Sequence, residues 1–163
     1  MKKRGLIKNK IIKNILSALA VAVFGFILLN VAFLFDFLFQ SLLLGFFGIF
    51  VPIDLTDSNF SGVPPIMHIL FIGLIGLISW FVFKSKLKVI YKAVYMTVPL
   101  AVVFVTIGMF FYQWPIVGYL LGILFGISVL YYFYRTKQPW IYYYTLILIS
   151  FIMLIVGLFG VEI

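Results

Sequence analysis

The segment Trp140–Gly160, WIYYYTLILISFIMLIVGLFG, contains 21 residues and no charged side chain. A helix of about 20 mostly apolar residues crosses the hydrocarbon core of a bilayer, which is about 30 Å thick. A helix is the natural form for such a segment, because backbone polar groups in lipid must be satisfied within the segment itself. The segment therefore predicts a transmembrane helix.

Four further segments are also long and mostly apolar. They are Asn14–Phe35, with 22 residues, and three segments of 19 residues, Pro65–Phe83, Ala93–Phe111 and Ile116–Tyr134. Of the 163 residues in the chain, 66% are hydrophobic and 10% are charged, which excludes both a soluble globular domain and a disordered chain. We therefore predict an all-α polytopic integral membrane protein, with residues 1–163 forming one five-helix transmembrane domain.

The stretch Phe37–Pro52, FLFQSLLLGFFGIFVP, is apolar but has only 16 residues, about 24 Å as a helix. It could form a short span, a re-entrant turn or an in-plane helix. With five spans and an internal N-terminus, all 12 basic residues lie on the inner side, whereas a sixth span would divide them equally between the two sides. The positive-inside rule favours five spans. We therefore predict a re-entrant or in-plane segment in the outer leaflet and an outer loop, together residues 37–64.

The basic residues fall in three groups beside the apolar segments, within residues 1–13, 84–92 and 135–137. Cytoplasmic loops carry an excess of Lys and Arg, so we expect a cytoplasmic N-terminus and an external C-terminus in the plasma membrane. The abundance of Lys, Ile, Phe, Tyr and Asn suits an AT-rich bacterial genome. The net charge of +8 does not indicate nucleic-acid binding, because no recognition motif accompanies the basic groups. We expect contact with membrane lipids instead.

The residues best suited to chemistry are Asp54, Asp57 and His68, on the outer loop and one turn into the next span. Two carboxylates and an imidazole could bind a divalent cation or share acid–base work. Asp36, at the outer end of the first span, could join them. The alternative is that the acids are ordinary loop residues and that His68 is a packed polar group. Other polar side chains nearby are Asn30 and Gln40.

Cofactor chemistry has little support in the sequence. The chain has no Cys and a single His, which excludes a thiolate metal site, a thiol nucleophile and a haem held by two histidines of one chain. It also has no Gly-rich phosphate loop, HExxH or GxSxG motif. We expect no cofactor.

Gly118, Gly122 and Gly126 form the pattern GxxxGxxxG in the fourth span. Glycines four residues apart lie on one helix face and let another helix approach closely. The pattern predicts helix packing at these positions, and the packing partner could be a helix of this chain or of another chain.

Three functions are compatible with these features. The first is a non-enzymatic accessory, immunity-type or scaffold subunit, which acts by helix packing with another membrane protein or in a homo-oligomer. The second is transport or permeation by a homo-oligomer, although no span centre carries an ionisable residue. The third is a membrane-embedded enzyme with an Asp/His site at its outer face.

Overall fold

The computed structural model describes the backbone of residues 2–50 and 63–159 and the side chains of residues 9–46 and 68–158. Within these ranges the chain forms helices and no strand, which confirms the all-α prediction. The helices are α1 (Lys2–Phe50), α2 (Val63–Lys84), α3 (Val89–Phe110), α4 (Pro115–Arg135) and α5 (Trp140–Phe159).

Four of these helices are long and apolar enough to cross a membrane. The qualifying segments are Asn9–Phe46 in α1, Val89–Phe110 in α3, Pro115–Arg135 in α4 and Trp140–Leu158 in α5. In α2, the apolar part with described side chains, His68–Lys84, is shorter. The chain therefore has the helices of a multi-pass membrane protein.

The first helix differs from the sequence prediction. The prediction ended this helix at Phe35 and made 37–52 a separate re-entrant or in-plane segment, but α1 runs unbroken from Lys2 to Phe50. The chain has no proline before Pro52, so every residue of α1 can donate its backbone N–H to the helix. Asp36, where the prediction placed the boundary, lies inside this helix, and its carboxylate accepts a hydrogen bond from the Gln40 amide one turn later.

The third helix is the centre of the bundle, since it contacts each of the other four helices. Its buried face includes two alanines, Ala93 and Ala101, which leave room for neighbouring helices. Buried residues of α1, α3, α4 and α5 form one apolar cluster. A second cluster joins α2 to α3 and consists of Phe71, Ile75, Val98 and Val102.

The loop between α4 and α5 has a defined backbone structure. Lys137 has a left-handed backbone, with φ 51°, and its N–H bonds to the Tyr134 carbonyl, while the N–H of Gln138 bonds to the Phe133 carbonyl. This pair of bonds satisfies the last carbonyls of α4. Pro139 follows and stops the helix. Across the bundle, the rings of Phe83 in α2 and Tyr142 in α5 lie 6.4 Å apart, so the α2–α3 and α4–α5 loops share one end of the protein.

Candidate functional site

Asp36 and His68 meet inside the bundle, although 32 residues separate them in the sequence. Asp36 Oδ2 lies 3.2 Å from His68 Nδ1. Both residues are buried, with 9% and 3% of their surface exposed. Buried ionisable groups are costly unless they are paired, and this contact pairs a residue of α1 with a residue of α2.

Two further side chains complete a polar cluster with Asp36 and His68. Gln40 Nε2 donates a hydrogen bond to Asp36 Oδ1 at 3.0 Å. Thr106 Oγ1 lies 3.1 Å from His68 Nε2. We call Asp36, Gln40, His68 and Thr106 the polar cluster; it joins α1, α2 and α3.

The surroundings of the polar cluster are apolar and aromatic. The His68 ring lies 6.2 Å from the ring of Phe71, which is buried in the second apolar cluster. Phe35 and Phe39, on either side of Asp36 in sequence, also place their rings within 6.2 Å and 6.0 Å of Phe71. In such an environment a hydrogen bond is stronger than in water, and an unpaired polar group is more costly.

The Thr106 hydroxyl lies within hydrogen-bond distance of both the Val102 carbonyl and His68 Nε2. This hydroxyl donates to the Val102 carbonyl at 2.6 Å, one turn back in α3. Because a hydroxyl has a single proton, Thr106 Oγ1 cannot donate to the Val102 carbonyl and to His68 Nε2 at once. Each ring nitrogen of His68 donates or accepts according to the tautomer of the imidazole.

Only His68 of the predicted metal-binding group Asp54, Asp57 and His68 lies within the described residues. Asp54 and Asp57 lie outside the described residues. Both ring nitrogens of His68 have oxygen partners, so a metal ion would have to displace one of them. Among the residues with described side chains, no three His, Cys, Asp or Glu residues gather. The metal or catalytic role of Asp54, Asp57 and His68 stays a prediction.

Sequence reasoning brought Asp36 and His68 into one group but missed Thr106. A threonine in a membrane helix normally bonds its own backbone, as Thr106 also does. Its second contact spans 38 residues and depends on how α2 and α3 are aligned. No pattern within α3 indicates this contact.

Gly118, Gly122 and Gly126 line an apolar groove between α3, α4 and α5, with a volume of about 680 Å³. A Cβ atom placed on Gly122 would lie 3.6 Å from the Phe104 ring, and one on Gly118 would lie 3.6 Å from Phe111 Cβ. A Cβ atom on Gly126 would meet nothing within 4 Å. The glycines thus face side chains of α3 and open space.

The closest helix approach occurs at a glycine that the sequence analysis did not single out. A Cβ atom on Gly25 of α1 would lie 2.6 Å from Thr97 Cγ2 of α3. Thr97 Oγ1 also lies 3.3 Å from the Gly25 carbonyl oxygen. A lone glycine between Phe24 and Phe26 is the only sequence signal for this contact.

Comparisons with protein-family models, with curated proteins and with solved structures find no match to this chain. The features that bear on function are therefore its own polar cluster and its glycine-lined groove. The polar cluster is buried, whereas the groove opens on the surface of the bundle.

Proposed function

We propose that this chain is a non-enzymatic integral membrane protein that acts as an accessory or scaffold subunit by binding a transmembrane helix of a partner protein. The observation that carries the proposal is the glycine-lined groove between α3, α4 and α5. In lipid, helices associate through close packing at small residues rather than through the hydrophobic effect. A glycine-lined groove on the bundle surface supplies that kind of contact.

The residues along the groove suit an apolar helix. Its lining is almost entirely apolar, and its polar members include Ser150 and two tyrosines, Tyr112 and Tyr119. In α4 only Phe133 is buried, and large side chains such as Ile123 and Ile127 stand exposed at the groove. A partner helix in the groove would contact both these side chains and the glycine backbone.

Replacing Gly126 with leucine is expected to abolish partner binding and leave the protein folded. No atom lies within 4 Å of the Cβ position at residue 126, so the leucine side chain begins in open space at the groove that Gly126 lines. Native mass spectrometry after gentle extraction from the source membrane measures the bound partner. We expect a stoichiometric second protein with the unmodified chain and its loss with Gly126→Leu.

Gly73→Leu in α2 is the matched control, because its Cβ position is equally open and it does not line the groove. This variant should retain the partner. If Gly126→Leu retained the partner as well as Gly73→Leu does, the groove would not be the surface that binds the partner. Recovery of the chain only as a monomer or as a homo-oligomer would contradict the accessory function, and a homo-oligomer would favour transport or self-association.

The proposed topology has five spans, one for each helix, with the N-terminus in the cytoplasm and the C-terminus outside a bacterial plasma membrane. Contacts between helices support it. Lys92 Nζ donates to the carbonyls of Phe83 and Ser85, and the Phe83–Tyr142 contact brings the α4–α5 loop to the same end. Basic residues 84–92 and 135–137 therefore share one end, as the positive-inside rule requires for a cytoplasmic face.

The length of α1 is the unusual feature of this topology. Its apolar segment Asn9–Phe46 has 38 residues, about 57 Å at 1.5 Å per residue, against a hydrocarbon core of about 30 Å. His68 contacts both Asp36 of α1 and Thr106 of α3, so these two residues lie at about the same depth along the bundle. Beyond this depth α1 continues for about 21 Å, whereas α3 continues for only about 6 Å. We propose that α1 crosses the bilayer once and that residues 37–50 continue the same helix beyond the level of Asp36 at the outer side.

Cysteine labelling tests the orientation directly, because the chain has no Cys of its own. Ser58→Cys, in the segment between α1 and α2, is expected to react with a membrane-impermeant maleimide in intact cells. Ser85→Cys, at the end of α2, is expected to react only after the cells are permeabilised. The reverse pattern, with residue 85 labelled in intact cells and residue 58 protected, would overturn the topology.

A further inference from the structure

The end of the bundle that holds the α2–α3 and α4–α5 loops is strongly basic. Its loops and helix ends carry six basic residues, Lys84, Lys86, Lys88, Lys92, Arg135 and Lys137. No Asp or Glu occurs in residues 58–161 of the sequence, and the one acid among the residues with described side chains, Asp36, is in the polar cluster. Within the described part of the chain, these six charges therefore have no acidic partner.

Two of the six residues are engaged within the protein. Lys92 Nζ donates to the carbonyls of Phe83 and Ser85, at 2.6 Å and 2.7 Å, and so satisfies carbonyl groups at the end of α2. Lys84 Nζ lies 4.8 Å from the centre of the Trp80 ring, which is a cation–π contact between residues one turn apart in α2. These two charges are less available to a ligand than the other four.

The other four basic residues are available to bind a ligand. Lys86, Lys88 and Lys137 are exposed, and their ammonium groups have no hydrogen bond to any residue with a described side chain. Arg135 is also exposed, and its Nη1 makes a long hydrogen bond of 3.5 Å to the Tyr131 hydroxyl. Four cationic groups therefore remain at the surface of this end.

An aromatic cluster brings the two loops together. The Tyr142 ring of α5 lies 6.4 Å from the Phe83 ring of α2 and 6.0 Å from the Phe133 ring of α4. Lys86 follows Phe83 by three residues, and Arg135 follows Phe133 by two. Both loops therefore lie next to the same aromatic cluster, and their cationic groups can act on one ligand.

Exposed aromatic side chains indicate the depth of this end in the membrane. They are Tyr91, Tyr131, Tyr134 and Trp140. Tyr and Trp prefer the headgroup level of a bilayer. The anionic groups available at that level are the headgroups of anionic phospholipids, which attract Lys and Arg side chains near the membrane surface. The charge and the depth of the two loops thus fit the same ligand.

We propose that Lys86, Lys88, Arg135 and Lys137 bind the headgroup of an anionic phospholipid between the α2–α3 and α4–α5 loops. We call these four residues the basic site. The attraction is electrostatic, and each basic residue near an anionic surface strengthens binding about fivefold. None of the four residues lines the glycine groove, so the basic site is separate from the proposed partner-binding surface.

Tryptophan quenching by lipids with brominated acyl chains measures binding at the basic site. Trp80 and Trp140 lie in the halves of α2 and α5 next to the two loops, whereas Trp114 precedes α4 at the opposite end, so every protein in the test carries Trp114→Phe. Each protein is reconstituted in phosphatidylcholine vesicles that contain increasing fractions of brominated phosphatidylglycerol or brominated phosphatidylcholine. With the basic site intact, we expect phosphatidylglycerol to be preferred about fivefold or more.

The triple variant Lys86→Gln/Lys88→Gln/Lys137→Gln is expected to lower this preference to about twofold or less, because it removes three of the four charges of the basic site. Glutamine keeps most of the length of lysine and removes only its charge. The exposure of all three side chains means that the bundle should remain folded.

The matched control, Lys3→Gln/Lys8→Gln/Lys10→Gln, removes the same number of charges from α1. Gly25 of α1 lies against Thr97 of α3, with Lys10 15 residues before Gly25 and the start of α3 eight residues before Thr97. Lys10 therefore lies about 10 Å beyond the start of α3, and Lys3 and Lys8 lie farther. This variant should keep the preference for phosphatidylglycerol.

Four results would overturn the proposal. The first two are equal quenching by the two brominated lipids when the basic site is intact, and an unchanged preference in the triple variant. The third is an equal loss of preference in the α1 control, which would show a diffuse attraction in place of a site. The fourth is stronger displacement of the lipid by inorganic phosphate than by sodium chloride at the same ionic strength, which would assign the site to a soluble phosphate compound. None of these results bears on partner binding, which Gly126→Leu tests at the groove.

Discussion

A His68→Leu variant is expected to have a free energy of unfolding about 3–5 kcal/mol lower than that of the unmodified protein. The substitution removes the partner of a buried carboxyl group, since Asp36 Oδ2 has its contact with His68 Nδ1. Gln40 binds the other oxygen and cannot serve both. A denaturing-detergent titration in mixed micelles, followed by Tyr and Trp fluorescence, measures the change.

The double variant Asp36→Leu/His68→Leu should recover most of this loss. Leucine has the branched shape of aspartate, and replacing both partners of a buried pair with apolar groups is often close to neutral. The Thr106 hydroxyl keeps its bond to the Val102 carbonyl in this variant. The two substitutions are therefore expected to be strongly non-additive.

Asn30→Leu is the matched control on α1, because Asn30 is exposed and bonds the Phe26 carbonyl of its own helix. It should change the free energy of unfolding by at most about 0.5 kcal/mol. Purely additive effects of Asp36→Leu and His68→Leu would show that the two residues are not energetically coupled. That result would contradict the pairing of Asp36 with His68 in the polar cluster.

A Gly25→Ala variant is expected to lower the free energy of unfolding by about 1–3 kcal/mol, the usual cost of overpacking. The added methyl group would lie 2.6 Å from Thr97 Cγ2. Thr97 cannot turn away easily, because it is 1% exposed, has a stiff β-branched side chain and bonds the Val94 carbonyl. The helices α1 and α3 must therefore move apart, which is measured by the same detergent titration.

A second substitution distinguishes this clash from a general effect of alanine. Thr97→Ser removes Cγ2 and keeps the hydroxyl, so Gly25→Ala/Thr97→Ser should regain most of the stability that Gly25→Ala loses. Gly73→Ala, whose Cβ position is open, should be neutral or stabilising because alanine favours helix formation by about 1 kcal/mol over glycine. If Gly25→Ala were as stable as Gly73→Ala, α1 and α3 would have room for a methyl group between Gly25 and Thr97, which would contradict the close contact.

The glycine pattern in α4 and Gly25 in α1 show different limits of sequence reasoning. Spacing alone puts Gly118, Gly122 and Gly126 on one face of α4, and they line one groove. Spacing says nothing about Gly25, which has no glycine one turn away in α1. Its importance depends on Thr97, 72 residues later.

The helical character of the chain and its long apolar segments are predictable from local sequence alone. The reason is local, because a run of about 20 apolar residues satisfies its backbone hydrogen bonds within itself, whatever its neighbours are. Even so, the local pattern predicts that the first helix ends before Asp36, whereas α1 continues to Phe50. That boundary relied on the length of a single span and on the distribution of basic residues, neither of which limits how far a helix continues.

The contacts among the polar residues, in contrast, depend on how the helices pack against one another. Asp36, His68 and Thr106 lie on three helices and contact one another across 32 and 38 residues of sequence. Their contacts depend on the rotation and alignment of α1, α2 and α3, which the close approach of Gly25 to Thr97 and the packing of Phe71 help to fix. Helix formation follows from hydrogen bonds four residues apart, whereas helix alignment follows from side-chain packing between distant segments, and no single segment encodes it.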